Sequence, residues 1–272
     1  VALAMGQTMR TVPTVLAMDT TVREWRGMPA WRPRQRHAPL TLAPSRALEH
    51  RALRRAALVL ARTKWVQESV EREFPDVDVH EHHPGIDLDR YRPVAHRPRE
   101  VPRVLFVGGR FHEKGGDDLI AALSGELDAG RVELDVVTPH EVPQRTGIRV
   151  HRLEPSDPRL LDLQQQADVM CLPTYGDTNP WAILEAMACG TPVVASRLGG
   201  IPDLLDEGNA GALVAPGDGH GLRSALFELL GDEPARDELG AAARRRCESH
   251  YDARRQFGRL VQMLRGLVPG AR

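Results

Sequence analysis

Asp177 to Ser196 reads DTNPWAILEAMACGTPVVAS, and beyond its opening Asp177 a single carboxylate, Glu185, interrupts an otherwise uncharged apolar run. A residue before proline is biased away from helix, and proline suits the first helical position, so Asn179-Pro180 marks a helix start. The spacing predicts a loop through Asp177, a helix over Trp181 to Cys189 with Pro180 at its first position, a turn at Gly190 and a strand over Pro192 to Ala195. Glu185 then falls in the second helical turn. Charged side chains are seldom buried unless paired or hydrogen-bonded, so a polar ligand near the helix start would partner both Asp177 and Glu185. The alternative is a helix-start acid together with a buried Glu paired to an Arg of a neighbouring element.

The surrounding pattern alternates strand and helix. Arg103 to Gly108, Val132 to Val137, Ile148 to Leu153 and Ala167 to Leu172 read as strands, with helical periodicity over Asp117 to Leu127 and Asp157 to Gln166. This is an α/β pattern and implies a parallel sheet, whose ligands bind beyond the carboxyl ends of the strands. Two loops leave at that edge: the one carrying Asp177, and GGRFHEKGG, residues 108–116. The glycines of the second loop, Gly108 and Gly109 among them, let the backbone approach an anion. The loop is neither the G-x-G-x-x-G dinucleotide fingerprint nor a P-loop. It offers instead two cations, Arg110 and Lys114, able to hold a diphosphate without a metal. Lys114 is one of only two lysines in the chain, the other 34 of its 36 basic residues being arginine.

These residues resemble the retaining, nucleotide-sugar-dependent glycosyltransferases of family 4, which have the GT-B fold of two Rossmann-like domains. The resemblance runs through VLFVGGRFHEKGG, ADVMCLPTYGDTNPWAILEAMACGTPVVAS, GGIPDLLDEGNAGALVAPGD and the helices near ELGAAARRR, covering residues 45–260. The family's most specific element is a Glu, seven residues, and a second Glu followed by Ala-Met-Ala-x-Gly-x-Pro-Val-Val. The second Glu here is Glu185, but Asp177 stands at the first position, a shorter side chain where the resemblance implies contact with the donor sugar. The resemblance further implies that Glu185 binds the ribose hydroxyls and that Arg110 and Lys114 neutralise the departing nucleotide diphosphate. The backbone of Thr178, Asn179, Pro180 and Trp181 would add the favourable field of a helix start. It implies retention of configuration by attack on the face the leaving group departs from, in preference to a covalent intermediate on Asp177. No metal and no cofactor are expected beyond the nucleotide-diphosphate sugar itself.

The amino-terminal part is shorter than the resemblance calls for. Segment VPTVLAMDTT reads as a strand and its loop, Leu48 to Ala61 as a helix, LVLARTK as a strand and Val66 to Phe74 as a helix. The expected organisation is a partial acceptor-side domain over 1–95, a nucleotide-sugar-binding domain over 96–252, and a carboxyl-terminal helix over 253–272 returning toward the first domain. A start at Val1 without Met fits a fragment. Family members often carry a His after the strand matching PTVLAM, where this chain has Asp19; Asp19 is a candidate for positioning or deprotonating an acceptor hydroxyl, with a loop-capping Asp as the alternative.

Composition narrows the function classes. A net charge of −1, 42% hydrophobic residues and no run of membrane-spanning length describe a globular chain. The first residues lack signal-peptide order, and three cysteines without framework spacing fit a reducing cytoplasm. Residues 10–64 hold twelve Arg or Lys against three acids, a solvated face by default or a surface for anionic lipid at the inner face of the membrane. With 4% aromatic residues and no reading motif, nucleic acid is not expected. Trp25 and Trp31 read as loop packing or a sugar platform. His80, His82 and His83 read as an exposed interdomain linker in preference to a metal site, and His112 as a residue of the phosphate loop that either touches the donor or faces solvent. A nucleotide-sugar-binding module that has lost catalysis is the competing function, and the base, the sugar and the acceptor, whether saccharide, lipid-linked or small molecule, are not encoded in any short motif.

Overall fold

The computed structural model describes residues 12–31, 38–97 and 99–267. They divide into two compact units: residues up to Gly85 together with those from Ala253 on, and Ile86 to Asp252. The first unit thus gives way to the second at Gly85, ten residues before the expected boundary. The stretch between Gly85 and β4 is bound to the second unit, β4 being Arg103–Val107: Arg97 N donates to Gln166 Oε1 at 2.9 Å, and its guanidinium grips Asp162.

The second unit is built on six parallel strands: β4, β5 (Glu133–Val137), β6 (Ile148–His151), β7 (Val169–Leu172), β8 (Val193–Ser196) and β9 (Ala212–Val214). Their spatial order is β6-β5-β4-β7-β8-β9. The chain therefore winds outward from β4 in one direction, then returns to β4's other side with β7 and winds away again. Strands VMCL and VVAS are buried at every residue, as a sheet covered on both faces requires. Alternation divides the sheet residues between two cores. Val104 and Phe106 pack with α4 (Gly116–Asp128), α6 (Trp181–Ala188) and α8 (Gly219–Gly231), while Leu105 and Val137 turn toward Leu160 and Leu163 of α5 (Pro158–Gln166). Helix α9 (Glu233–His250) lies against α6, where Gly240 closes on the backbone of Gly190.

One acid lies inside this sheet. Asp135 is 1% exposed and accepts from Arg149 Nε at 3.1 Å, lies 2.7 Å from His151 Nε2 and faces Arg103 Nε at 3.0 Å. Cross-strand register places Arg149 directly opposite it, so the charge is compensated within the ladder.

The first unit holds three parallel strands in the order β1-β2-β3, with β1 at Val15–Met18, β2 at Leu58–Ala61 and β3 at Val79–Glu81. Helices α1 (Val22–Gly27), α2 (Ala38–Leu53), α3 (Lys64–Glu73) and α10 (Ala253–Gly266) belong to the same unit. Helix α2 begins ten residues before the expected Leu48 and stops at Leu53, because Leu58–Ala61 is taken by a fully buried central strand. The histidine stretch is not an exposed linker. Its first residues form β3, and His82 and His83 are 5% and 3% exposed, His82 Nε2 lying 3.1 Å from Gln256 O and His83 Nδ1 accepting from Gly85 N. No group of three metal-ligating side chains occurs among the described residues. Trp25 and Trp31 stack on one another, centroids 6.1 Å apart. No helix among the described residues is long and apolar enough to cross a membrane.

Gly115 caps α4 in the left-handed conformation, φ 78°, and a Cβ there would overlap the carbonyl of Pro173. Gly115→Ala combines a left-handed penalty with a backbone collision, and a loss of at least about 2 kcal/mol is expected. Urea unfolding monitored by circular dichroism measures it; a midpoint equal to that of the parent chain would contradict the packing described.

Candidate functional site

The strand order reverses between β4 and β7, and the loops leaving their carboxyl ends are the two picked out by sequence. They are joined rather than merely adjacent. Tyr175 N donates to Glu113 O at 2.9 Å, Thr174 Oγ1 to the same oxygen at 3.4 Å, and Lys114 Nζ to Gly176 O at 3.0 Å. The Tyr175 hydroxyl bonds Asp118 in the first turn of α4, and that bond, with burial, pushes its pKa up to about 12. Below the β4 loop lies Phe111, fully buried, edge-on to Phe106 and filling the space beside Gly116.

Across this junction Lys114 forms an ion pair with Asp177 Oδ2, and both side chains are largely covered, 18% and 16% exposed. Asp177 Oδ1 accepts from Thr178 N at 2.9 Å. Arg110 shares the loop, Lys114 N donating to its carbonyl, but its guanidinium is 64% exposed and paired with Glu113. Gly108 is required by packing, since a Cβ would meet Phe106 and the Lys114 side chain, whereas Gly109 faces open space and can admit a ligand. His112 is exposed and bonded to Asp117 at 2.6 Å.

Helix α6 begins at Trp181 with Pro180 as its cap residue, one position earlier than expected for Pro180, and carries no side-chain cap. Pro180 there is extended, ψ 113°, so the helix opens at Trp181, the start expected from the sequence. Cys189 is likewise the cap rather than the last helical residue, and the strand begins at Val193.

Glu185 is held by partners that sequence reading missed. Tyr91 donates to Oε1 at 3.2 Å and Gln164 Nε2 to Oε2 at 2.7 Å. Burial raises the Glu185 pKa from its ordinary value, against the lowering effect of these two bonds, and Tyr91 is pushed up to about 12 by burial and the facing carboxylate. An arginine, the partner in the alternative reading, does act on Glu185, the charge of Arg90 lowering its pKa, while Arg244 binds the carbonyls of Tyr91 and Ala188, both at 2.7 Å. Among the predicted residues the structure therefore brings Lys114 and Asp177 together and gives Glu185 a separate set of contacts. Asp19 lies in the first unit, after β1, 3.6 Å from Arg62 Nε and widely exposed.

Residues 101–232 match the family of glycosyl transferases group 1. That segment is a glycosyl transferases group 1 domain. Relatives include a glycogen synthase of Mycobacterium tuberculosis H37Rv, 34% identical over 183 residues, 62% of this chain and 44% of that one. A D-inositol 3-phosphate glycosyltransferase of Corynebacterium aurimucosum is 34% identical over 189 residues, 59% of this chain and 45% of its own length. The matched region thus spans less than half of these relatives. Among solved structures, sucrose-phosphate synthase from Thermosynechococcus elongatus superposes with a TM-score of 0.81 at 21% identity, over 98% of this chain and 71% of that one. Anabaena Alr3699/HepE, solved in complex with UDP-glucose, gives 0.75 at 18% identity, over 97% and 75%. The α/β fold with its parallel sheets is of the GT-B type, as the resemblance implied.

The raised Glu185 pKa has a consequence for stability in this group 1 domain. A folded-state pKa above the unfolded one means that the folded state binds the proton more tightly. The favourable contribution is full below the ordinary Glu value and is lost as pH rises through the raised one. Glu185→Gln keeps an acceptor for Tyr91 and cannot ionise. Relative to the parent chain it should be more stable at pH 7 than at pH 4, and urea midpoints at the two pH values test this; an identical difference at both would refute the assignment.

Proposed function

We propose that this chain is the donor-binding part, with some of the acceptor side, of a retaining, metal-independent glycosyltransferase that moves a sugar, hexose-like, from a nucleotide-diphosphate sugar to an acceptor hydroxyl. The observation carrying this reading is the Lys114–Asp177 pair, a cation and an acid held together across the point where the strand order of a group 1 domain reverses. The complex of HepE with UDP-glucose supports the class of donor.

The diphosphate sits over Gly109 and the start of α6, where backbone amides favour anions. It competes with Asp177 for the Lys114 ammonium. As Lys114 turns to phosphate, the Asp177 carboxylate is released to accept hydroxyls of the transferred sugar. Arg110, on its exposed arm, adds a second positive charge. Glu185 serves the ribose hydroxyls, since each oxygen accepts one bond from the protein and retains another acceptor position. In the transfer step the bond from the anomeric carbon to the phosphate oxygen breaks, the acceptor oxygen bonds on the same face, and the acceptor proton passes to the departing phosphate oxygen. Lys114 and Arg110 stabilise the charge gained there.

Asp19, at the carboxyl end of β1, is assigned to the acceptor, whether sugar, lipid-linked or small molecule. The basic first unit suits work at the cytoplasmic face of an anionic membrane in cell-envelope glycan, glycolipid or natural-product glycosylation.

The test is release of nucleotide diphosphate from UDP-, GDP- and ADP-sugars, with the anomeric configuration of the product read by NMR. Lys114→Ala should lower turnover about 10²-fold, Glu185→Ala should weaken nucleotide binding, and Asp177→Glu should preserve or raise activity. An inverted product, or turnover indifferent to Lys114, would overturn the mechanism. Nucleotide binding without release would leave a binding module only.

A further inference from the structure

Helix α10, in the first unit, carries two stripes. Ala253, Gln256, Leu260 and Met263 recur at steps of three and four residues and are partly covered, and Gln256 O lies 3.1 Å from His82 Nε2. This is the side by which the helix rests on its unit. Beside it Phe257, Val261 and Leu264 stand at i, i+4 and i+7, a second apolar stripe. Phe257 is 66% exposed, more than any other large apolar side chain among the described residues, and Leu264 is exposed as well. The helix holds four arginines, Arg254, Arg255, Arg259 and Arg265, all exposed, and no acid. Arg254 lies three residues before Phe257 and Arg265 four after Val261, so both flank the open stripe.

We infer that α10 is a lipid-contacting element that lies in the surface of an anionic bilayer, Phe257 and Leu264 entering the boundary between headgroups and acyl chains and the arginines meeting lipid phosphates. The inference rests on the membrane-side work proposed above and gives it a contact surface; it is independent of the donor site. Charge decides the occupant. A second copy seated on the same stripe would set the arginines of both helices side by side, with no acid on either helix to offset them. Uninterrupted positive charge around an exposed aromatic is instead the composition of helices that lie in a membrane interface. With 14 residues the helix is too short to cross a bilayer, and it lies along one.

The experiment is co-sedimentation of the chain with vesicles of phosphatidylcholine alone and of phosphatidylcholine with about a third phosphatidylglycerol. The parent chain should bind the anionic vesicles, lose that binding as salt is raised, and leave the neutral ones in the supernatant. Phe257→Ala, at an exposed position and with an unchanged thermal melt, should lower the partition about tenfold, and Phe257→Trp should restore it. Arg259→Gln with Arg265→Gln should lower it about 20-fold. A parent chain that does not bind anionic vesicles overturns the inference, and so does binding indifferent to Phe257, which would place the contact on other basic residues. Sedimentation velocity is the further check: a parent dimer that Phe257→Ala dissociates would make the stripe a contact between copies and overturn the inference too. Nucleotide release is not read in any of these measurements, so each such failure leaves the transferase reading standing.

Discussion

The approach of Gly115 to the carbonyl of Pro173 is the contact on which the site depends. Two loops leaving neighbouring strands at a reversal of strand order normally diverge, which is why a crevice forms there. Here the left-handed Gly115, free of a side chain, lets the β4 loop lie directly on the backbone of the β7 loop. Once that contact exists, Glu113 O is in reach of Tyr175 N, and Lys114 is in reach of Gly176 O and Asp177. Phe111, beneath the loop, supplies the apolar anchor that holds it down. The cation and the acid are therefore positioned by main-chain geometry, and the side chains complete an arrangement that the backbone has already made.

Two acids with little exposure show how differently such groups are accommodated. Asp135 is flanked by Arg103, Arg149 and His151 on adjacent strands, so its charge is compensated within the β4-β5-β6 side of the sheet. Asp177 has one cation and one amide, and that cation is on a loop at the ligand edge. Partly covered pairs of this kind contribute little net stability, since desolvation offsets attraction. A pair with modest net stability is also one that a competing charge can divide.

The stretch from Asp177 to Ser196 was legible because its signals are local: a proline before the helix, a glycine after it, and an apolar run too short and too β-branched to be anything but a strand. The two ligand loops were legible from strand and helix alternation. Long-range partners were not. Tyr91 reaches Glu185 across 94 positions and Gln164 across 21, and no spacing in the sequence announces either. The same reason accounts for His82 and His83. A run of polar residues before Pro84-Gly85 reads as exposed, and only the pairing of β3 with β2 reveals that both histidines are buried. In α2, helical periodicity ran on into Leu58–Ala61 because a fully buried strand and a buried helical turn share one composition, and only the ladder on both sides separates them.

The acid at position 177 is one methylene shorter than the family's glutamate, and its surroundings give that length a reason. Asp177 uses Oδ1 on the amide of the very next residue, Thr178, a local bond that short acidic side chains make readily. This fixes the carboxylate plane, so that Oδ2 is turned toward Lys114. A glutamate would carry its carboxylate past the Thr178 amide and meet Lys114 without that restraint. The shorter acid trades reach for orientation.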